Sequence, residues 1–425
     1  MILDDLILYR DDENTALIKD ICCLFKGGKK EDAFRAASKL LCLSNDLGFE
    51  GNLWHDHLAW FLANNENSFS MACEMRKNVR GSLPDIARHD IAIFRKLFKK
   101  DMAALDEKYG TDCFSALKEF VPCDENGKTF NRRIRDSICE LAQNLAAAPD
   151  EESMLVLIMD FYGRYGVGKF GLNKAFRIYE KADGTMDLLP VKKIAHVSLS
   201  DLVGYEDAKK RLRDNTEAFV EGRPCNNCLL YGDAGTGKSS SVKGIMNEYY
   251  SKGLRLIEVY RHQFKYLNDV VSLVKDRNYR FIIYMDDLSF EDTETEYKYL
   301  KALIEGGLER KPDNILIYAT SNRRHLVHEN FSDKLDRRET DDIHESDTVE
   351  EKLSLYNRFG VTIYYGRPAP KEFKEIVLSL ARRQGVKMGK EELLLEANKW
   401  ELRAGGLSGR TAQQFIDHIS GTVEK

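Results

Sequence analysis

The sequence predicts an α/β protein in three parts: a mainly helical region over residues 1–190, a parallel-sheet nucleotide-binding core over 191–370, and a small helical lid over 371–425. Three observations predict it. Short apolar strands alternate with helical segments after Asn227, a complete phosphate-loop motif sits at one strand-to-helix junction, and apolar residues recur near the helical period before residue 200 and after Lys371.

The length of 425 residues calls for two or three domains, since single domains commonly run to roughly 100–200 residues. With 43% hydrophobic and 31% charged residues the composition is that of a folded soluble chain, which excludes a disordered, collagenous or membrane-embedded one. The longest apolar runs, such as Met154 to Met159 and Phe281 to Met285, are far too short to span a bilayer. Asp4, Asp5, Asp11, Asp12 and Glu13 break up the start, so no leader is expected and the reading is a cytoplasmic protein with no membrane partner. A formal charge of -5 gives no global reason to expect nucleic acid as a partner.

In the first region, Glu31 to Leu43, Asp90 to Leu105 and Asn131 to Ala147 carry helical periodicity, with turns expected at Asn64 to Asn67 and Asp124 to Lys128. Trp54, His55 and His57 read as a surface or helix cluster, because no further ligands complete a metal site. Gly163, Gly166 and Gly168 before Lys169 imitate a phosphate loop, but Phe170 stands where a hydroxyl is needed. That segment reads as a glycine turn leading into an amphipathic helix. Seven of the nine cysteines precede residue 140, a spacing unlike a disulfide scaffold. Cys225 and Cys228 form a C-x-x-C for which structural thiols, redox exchange and metal binding are all open; structural thiols are favoured, since no second pair follows and Leu229 to Tyr231 reads as a strand.

After Pro190 a short linker strand is expected over Val191 to Leu199, then a charged helix to about Val220. Strands are expected at Leu229 to Tyr231, Leu256 to Val259, Phe281 to Met285 and Ile315 to Ala319, and lid helices at Glu375 to Gln384, Glu391 to Arg403 and Gly409 to Ile419.

The chemistry gathers at the ends of these strands. Gly232, Asp233, Ala234, Gly235, Thr236, Gly237, Lys238 and Ser239, followed by Ser240, match G-x-x-x-x-G-K-[ST] in full. Glycines let the backbone N–H groups wrap phosphate oxygens at a helix N-terminus, Lys238 reaches the β and γ phosphates of ATP, and the Ser239 hydroxyl holds Mg²⁺. The strand Phe281 to Met285 ends in Asp286, the expected metal-side carboxylate, and Asp287, placed to orient and deprotonate the attacking water. The next strand ends in Asn322, whose amide offers both a donor and an acceptor to that water without adding charge.

In this order GDAGTGKSS, FIIYMDD and IYATSN resemble an AAA+ ATPase. The wider run, from DLVGYEDAKKRLRDNTEAFVEGRPCNNCLLYGDAGTGKSS through YKYLKALIEGGLERKPDNILIYATSNRRHLV to ANKWELRAGGLSGRTAQQF, is similar to the bacterial ATP-binding family catalogued as domain of unknown function 815. The resemblance implies an arginine finger reaching a neighbour's γ phosphate, at Arg358 in LYNRFG, with Arg337 and Arg338 in competition. It also implies a lid arginine at Arg410 and an adenine-packing segment at Val203 and Gly204. A homo-oligomer follows from it, with a hexameric ring as one form, acting on an unidentified protein client. Asp287 departs from the Asp-Glu of many such enzymes and sits one methylene nearer the backbone.

The expected function is therefore Mg²⁺-dependent ATP binding and hydrolysis coupled to remodelling or loading of a partner. The alternative is an ATP-operated binding module or scaffold with negligible hydrolysis. Arg323, Arg324 and His325 offer a local nucleic-acid contact, and the acidic run from Asp341 to Glu351 reads as a solvated segment.

Overall fold

The computed structural model of the chain describes residues 3–10, 15–75, 79–122, 131–191, 194, 197–289, 296–305, 312–322 and 357–422. Two compact units divide it, residues 1–173 and 174–425. The division falls ahead of the expected boundary at 190, because residues 175–190 form a hairpin that belongs to the sheet of the second unit.

The first unit is helical, and its helices begin where side chains can cap them. Asn52 accepts from the His55 N–H at 3.2 Å to open Leu53–Asn64, Asn131 does the same for Arg132–Ala147, and Asp150 for Glu151–Tyr165. The periodicity expected over 90–105 is split between Ser82–Phe98 and Ala104–Tyr109, with the Asp101 carboxylate taking the Ala103 N–H in the turn between them. Phe61, Phe94 and Tyr162 lie in one core, and buried Asp90 accepts the N–H groups of Ile7, Leu8 and Tyr9. Gly163 lies inside a helix. Gly168 opens only a five-residue helix, Gly168–Leu172, so the expected amphipathic helix is replaced by a strand.

The Trp54 cluster is interior rather than surface. Trp54 donates to the Leu97 carbonyl, and Asp56 and His57 beside it are 3% and 2% exposed. Burial pushes the Asp56 carboxyl up to about 7 and the His57 imidazole down to about 4. These shifts act on stability with opposite sign. The Asp56 contribution is lost as pH rises from 3.8 towards about 7, and the His57 contribution is lost as pH falls from 6.5 towards about 4. Asp56→Asn removes the first alone. Its Tm should climb with pH across that window more steeply than the parent's, and equal slopes in thermal melts would contradict the assignment.

The second unit holds a seven-stranded sheet: β1 (Ala175–Glu180), β2 (Met186–Pro190), β3 (Cys228–Gly232), β4 (Leu254–Glu258), β5 (Arg280–Met285), β6 (Ile315–Ser321) and β7 (Val361–Tyr365). Their order is β2-β1-β4-β5-β6-β3-β7, antiparallel between β1 and β2 and parallel elsewhere. The hairpin turns where Asp183 takes both the N–H and the hydroxyl of Thr185 and Gly184 adopts φ 81°. The linker strand expected at 191–199 is absent among the described residues, and β7 was not anticipated.

All seven residues of β6 and the last five of β5 are buried. Successive strand residues point to opposite faces, so both faces of the central sheet are covered, as in a doubly wound α/β fold. The helices Glu206–Val220 and Lys238–Tyr249 contribute Leu212, Phe219, Val242 and Ile245 to this core. Helices Pro370–Gln384, Lys390–Ala404 and Gly409–Thr422 close a second core on Phe373, Val377, Leu393 and Phe415. A P-loop NTPase core of AAA+ type with a helical lid is the fold that results.

Candidate active site

The parallel strands send β3, β5 and β6 out at one edge, where open α/β sheets bind ligands. There a cleft of about 690 Å³ is lined by Gly235 to Ser240, Asp286, Asp287, Thr320, Asn322 and Arg410.

The loop begins at Gly232, φ 134°, where a Cβ would stand 2.1 Å from the Tyr365 carbonyl oxygen; only glycine lets β3 leave the sheet so close to the end of β7. Gly237, φ 95°, then turns the chain into the helix that starts at Lys238. Lys238 is 6% exposed and donates to the carbonyls of Gly232 at 2.9 Å and Asp233 at 2.7 Å, and to Asn322 Oδ1 at 2.9 Å. Burial lowers its pKa against the opposing pull of Asp287, Asp233 and Asp286.

Two carboxylates face this loop. Asp286 Oδ1 accepts from the Ser239 hydroxyl at 2.7 Å and from the Thr320 hydroxyl at 2.6 Å. Burial raises its pKa, but the hydrogen bonds from Thr320 and Ser239 lead the causes that outweigh it and hold it below the ordinary carboxylate value. Asp287 Oδ1 accepts from Asn322 Nδ2 at 2.7 Å, and its backbone has φ 54°. Lys238, Asn322 and Asp287 thus form one hydrogen-bonded chain, and Ser239 and Asp286 a second beside it.

Ser239 and Asp286 offer hard oxygen donors, and no group of three or more His, Cys, Asp or Glu side chains able to hold a metal occurs among the described residues. That set fits Mg²⁺, which binds through one or two protein oxygens together with phosphates and water rather than in an all-protein cage.

At the lid end, the Arg410 N–H donates to the Gly235 carbonyl at 3.2 Å, tying the last lid helix to the phosphate loop. Leu202, Val203 and Tyr205 line the cleft together with Ile376 and Leu380 of the first lid helix and give it a largely apolar stretch. Arg383 donates to the Asp201 carbonyl at 2.9 Å and joins the same lid helix to this segment.

Of the residues the sequence singles out, Gly204, Gly232, Asp233 and Ala234 do not line the cleft. Gly232 and Asp233 act through their carbonyls on Lys238, and Gly204 supplies a left-handed turn, φ 80°. Arg358 lies just ahead of β7, half-buried, and is not among the lining residues. Arg337, Arg338, Arg323, Arg324, His325 and the acidic run 341–351 lie outside the described residues. Cys228 is fully buried in β3, and burial pushes its thiol pKa up, which opposes the thiolate that exchange or metal binding needs.

Sequence reasoning missed Thr320, Leu202, Tyr205, Ile376, Leu380 and Arg383. Thr320 stood inside the motif that identified Asn322, whereas the lid residues are brought in only by tertiary packing. No helix among the described residues is long and apolar enough to cross a membrane.

A family profile described as "Protein of unknown function (DUF815)" matches residues 172–423. Among curated proteins, the replication factor C large subunit of Staphylothermus marinus is 35% identical over 78 residues, 18% of this chain and 18% of that subunit. Among solved structures, a point mutant of Thermotoga maritima RuvB superposes with TM-score 0.34 at 15% identity, over 54% of this chain and 76% of that one. The Thermotoga maritima RuvB Holliday junction branch migration motor gives TM-score 0.31 at 15% identity, over 53% and 74%.

Proposed function

The chain belongs to the DUF815 family, and from the chemistry of its cleft we propose that it is a Mg²⁺-dependent ATPase whose turnover drives a conformational change in a protein partner. The observation that carries this reading is the hydrogen-bonded chain from Lys238 through Asn322 to Asp287, which supports taking Lys238 as a phosphate-binding cation and Asp287 as a base of the same site. Magnesium, when bound, would supply charge neutralisation at the β and γ phosphoryl oxygens, held by Ser239 and Asp286.

The residues divide the work. Loop N–H groups and Lys238 bind the phosphates, Asn322 orients a water, and Asp287 accepts its proton as it attacks. Arg410 enters from the lid beside Gly235, where a cation can answer charge developing on the γ phosphoryl oxygens. Coupling to a partner follows from the same contact, because a lid bonded to the phosphate loop senses what that loop holds. A homo-oligomer in which Arg358 completes a neighbour's site belongs to this proposal.

A second reading, an ATP-operated scaffold with negligible hydrolysis, is favoured by one observation: the base is an aspartate on a left-handed backbone, with shorter reach than a glutamate. Steady-state phosphate release separates the two. Asp287→Asn should keep ATP binding and lower turnover by about 10²–10⁴-fold, the usual worth of general-base catalysis. Asp286→Asn should weaken magnesium-dependent binding as well. Phosphate release that is absent from the assembled parent protein, or unchanged in Asp287→Asn, would rule out the ATPase mechanism in favour of the scaffold or of another base.

A further inference from the structure

Thr320 is 1% exposed near the end of β6, and its hydroxyl is used in both directions. It donates its only proton to Asp286 Oδ1 at 2.6 Å and accepts the Asp287 N–H at 2.9 Å. Its backbone carbonyl takes the Leu288 N–H at 2.7 Å. One residue therefore holds three successive residues leaving β5.

That stretch needs holding. A non-glycine residue in the left-handed region is strained and persists only where its surroundings over-determine it. Asp287 adopts φ 54°, and the groups that fix it are Thr320 on its N–H, Thr320 again on the next N–H, and Asn322 on its carboxylate. Ser239 reaches Asp286 from the phosphate-loop helix, whereas Thr320 reaches it from within the sheet, so the aim of that carboxylate is referenced to β6. A valine would fill the same volume while leaving the Asp287 N–H without its acceptor and Asp286 without its sheet-side donor.

We propose that Thr320 is a positioning residue which fixes the metal-side carboxylate of Asp286 and the base carboxylate of Asp287 through one hydroxyl, so that magnesium use and water activation depend on the same side chain. The proposal rests on the ATPase reading of the cleft. It assigns Thr320 no contact with nucleotide.

The test compares Thr320→Val, which keeps shape and loses the hydroxyl, with Thr320→Ser, which keeps the hydroxyl and loses a methyl group. ATP binding to the full chain is measured by calorimetry with and without Mg²⁺, alongside kcat and KM for phosphate release. In Thr320→Val, binding without Mg²⁺ should stay within a few-fold of the parent. The Mg²⁺ enhancement of affinity and kcat should each fall by about 10–100-fold, the usual cost of losing a partner of a metal ligand. Thr320→Ser should retain both.

Loss of Mg²⁺ enhancement and kcat in Thr320→Ser equal to that in Thr320→Val would make the role one of packing and overturn the proposal. So would a parental Mg²⁺ response in Thr320→Val. Should the valine variant fail to fold, Thr320→Ala against Thr320→Ser carries the same comparison. Lys238→Ala run in parallel separates the levels: if it loses ATP while Thr320→Val behaves as parent, only the positioning role falls, and if it still binds ATP the ATPase reading falls and takes this inference with it.

Discussion

Lys238→Ala is expected to abolish ATP binding while leaving the fold intact. The ammonium is the cation of the loop, and in the structure its three donors are taken by Gly232 O, Asp233 O and Asn322 Oδ1. A phosphate oxygen can replace Asn322 with little movement, since that contact already faces the cleft. A methyl group offers neither charge nor donor. Two charge-assisted hydrogen bonds to phosphate are worth about 3–6 kcal/mol at roughly 1.5–3 each, which is a loss of some 10²–10⁴ in affinity. The fold should survive because Lys238 lies at the first residue of its helix and outside the apolar cluster of Val242, Ile245 and Met246. Calorimetry with ATP and far-UV circular dichroism check the two halves. A folded variant with parental affinity would remove the phosphate-loop assignment.

Asp286→Asn and Lys238→Ala act on parts of the site that the sequence displays openly, and the contrast with what it conceals is physical. The loop, the acids after β5 and Asn322 after β6 are legible because each requires particular residue types at fixed spacing within one strand-to-loop junction. Strands β3, β5 and β6 were legible for a related reason: buried along most of their length, they contain short apolar runs bounded by turn residues, whereas the start of β4, interrupted by Arg255 and Glu258, was placed two residues late. The hairpin of β1 and β2 was not. β2 is an edge strand and β1 beside it is half exposed, with Arg177, Tyr179 and Glu180 facing out, so their pattern is closer to that of an amphipathic segment. Strand β7 reads Val-Thr-Ile-Tyr-Tyr with only two buried positions and carries no motif. The apolar part of the cleft lining draws on Leu202, Val203, Ile376 and Leu380, two pairs of residues far apart in sequence; no local spacing reports that meeting. Thr320 was concealed differently, since a hydroxyl in a buried strand has no meaning until the acids of the neighbouring strand are set beside it.

Arg358→Ala is expected to leave nucleotide affinity within a few-fold and to depress turnover by about 10³–10⁵, the range in which removal of an arginine finger falls. Arg358 is half-buried directly ahead of β7 and does not line the cleft of its own chain. On the proposed reading, a role for it in turnover would be played at the site of a neighbouring copy. On that reading Lys238, Ser239, Asp286, Asp287 and Asn322 bind and orient within one chain, and Arg410 is the arginine among the described residues of the phosphate-loop end that would meet charge developing on the γ phosphoryl oxygens. A planar guanidinium from the neighbour would complete that compensation. Two consequences follow. Turnover per chain should rise with protein concentration as copies assemble, and a mixture of Arg358→Ala with Lys238→Ala should be more active than either alone, because some interfaces then pair an intact pocket with an intact arginine. Arg410→Ala, which acts in the same chain as its pocket, should not be rescued by Lys238→Ala in this way. The measurement is phosphate release against concentration and mixing ratio, with sedimentation to follow assembly. A fully active monomer, a rate linear in concentration and an Arg358→Ala variant equal to the parent would together defeat the shared site while leaving Lys238 and its phosphate loop standing.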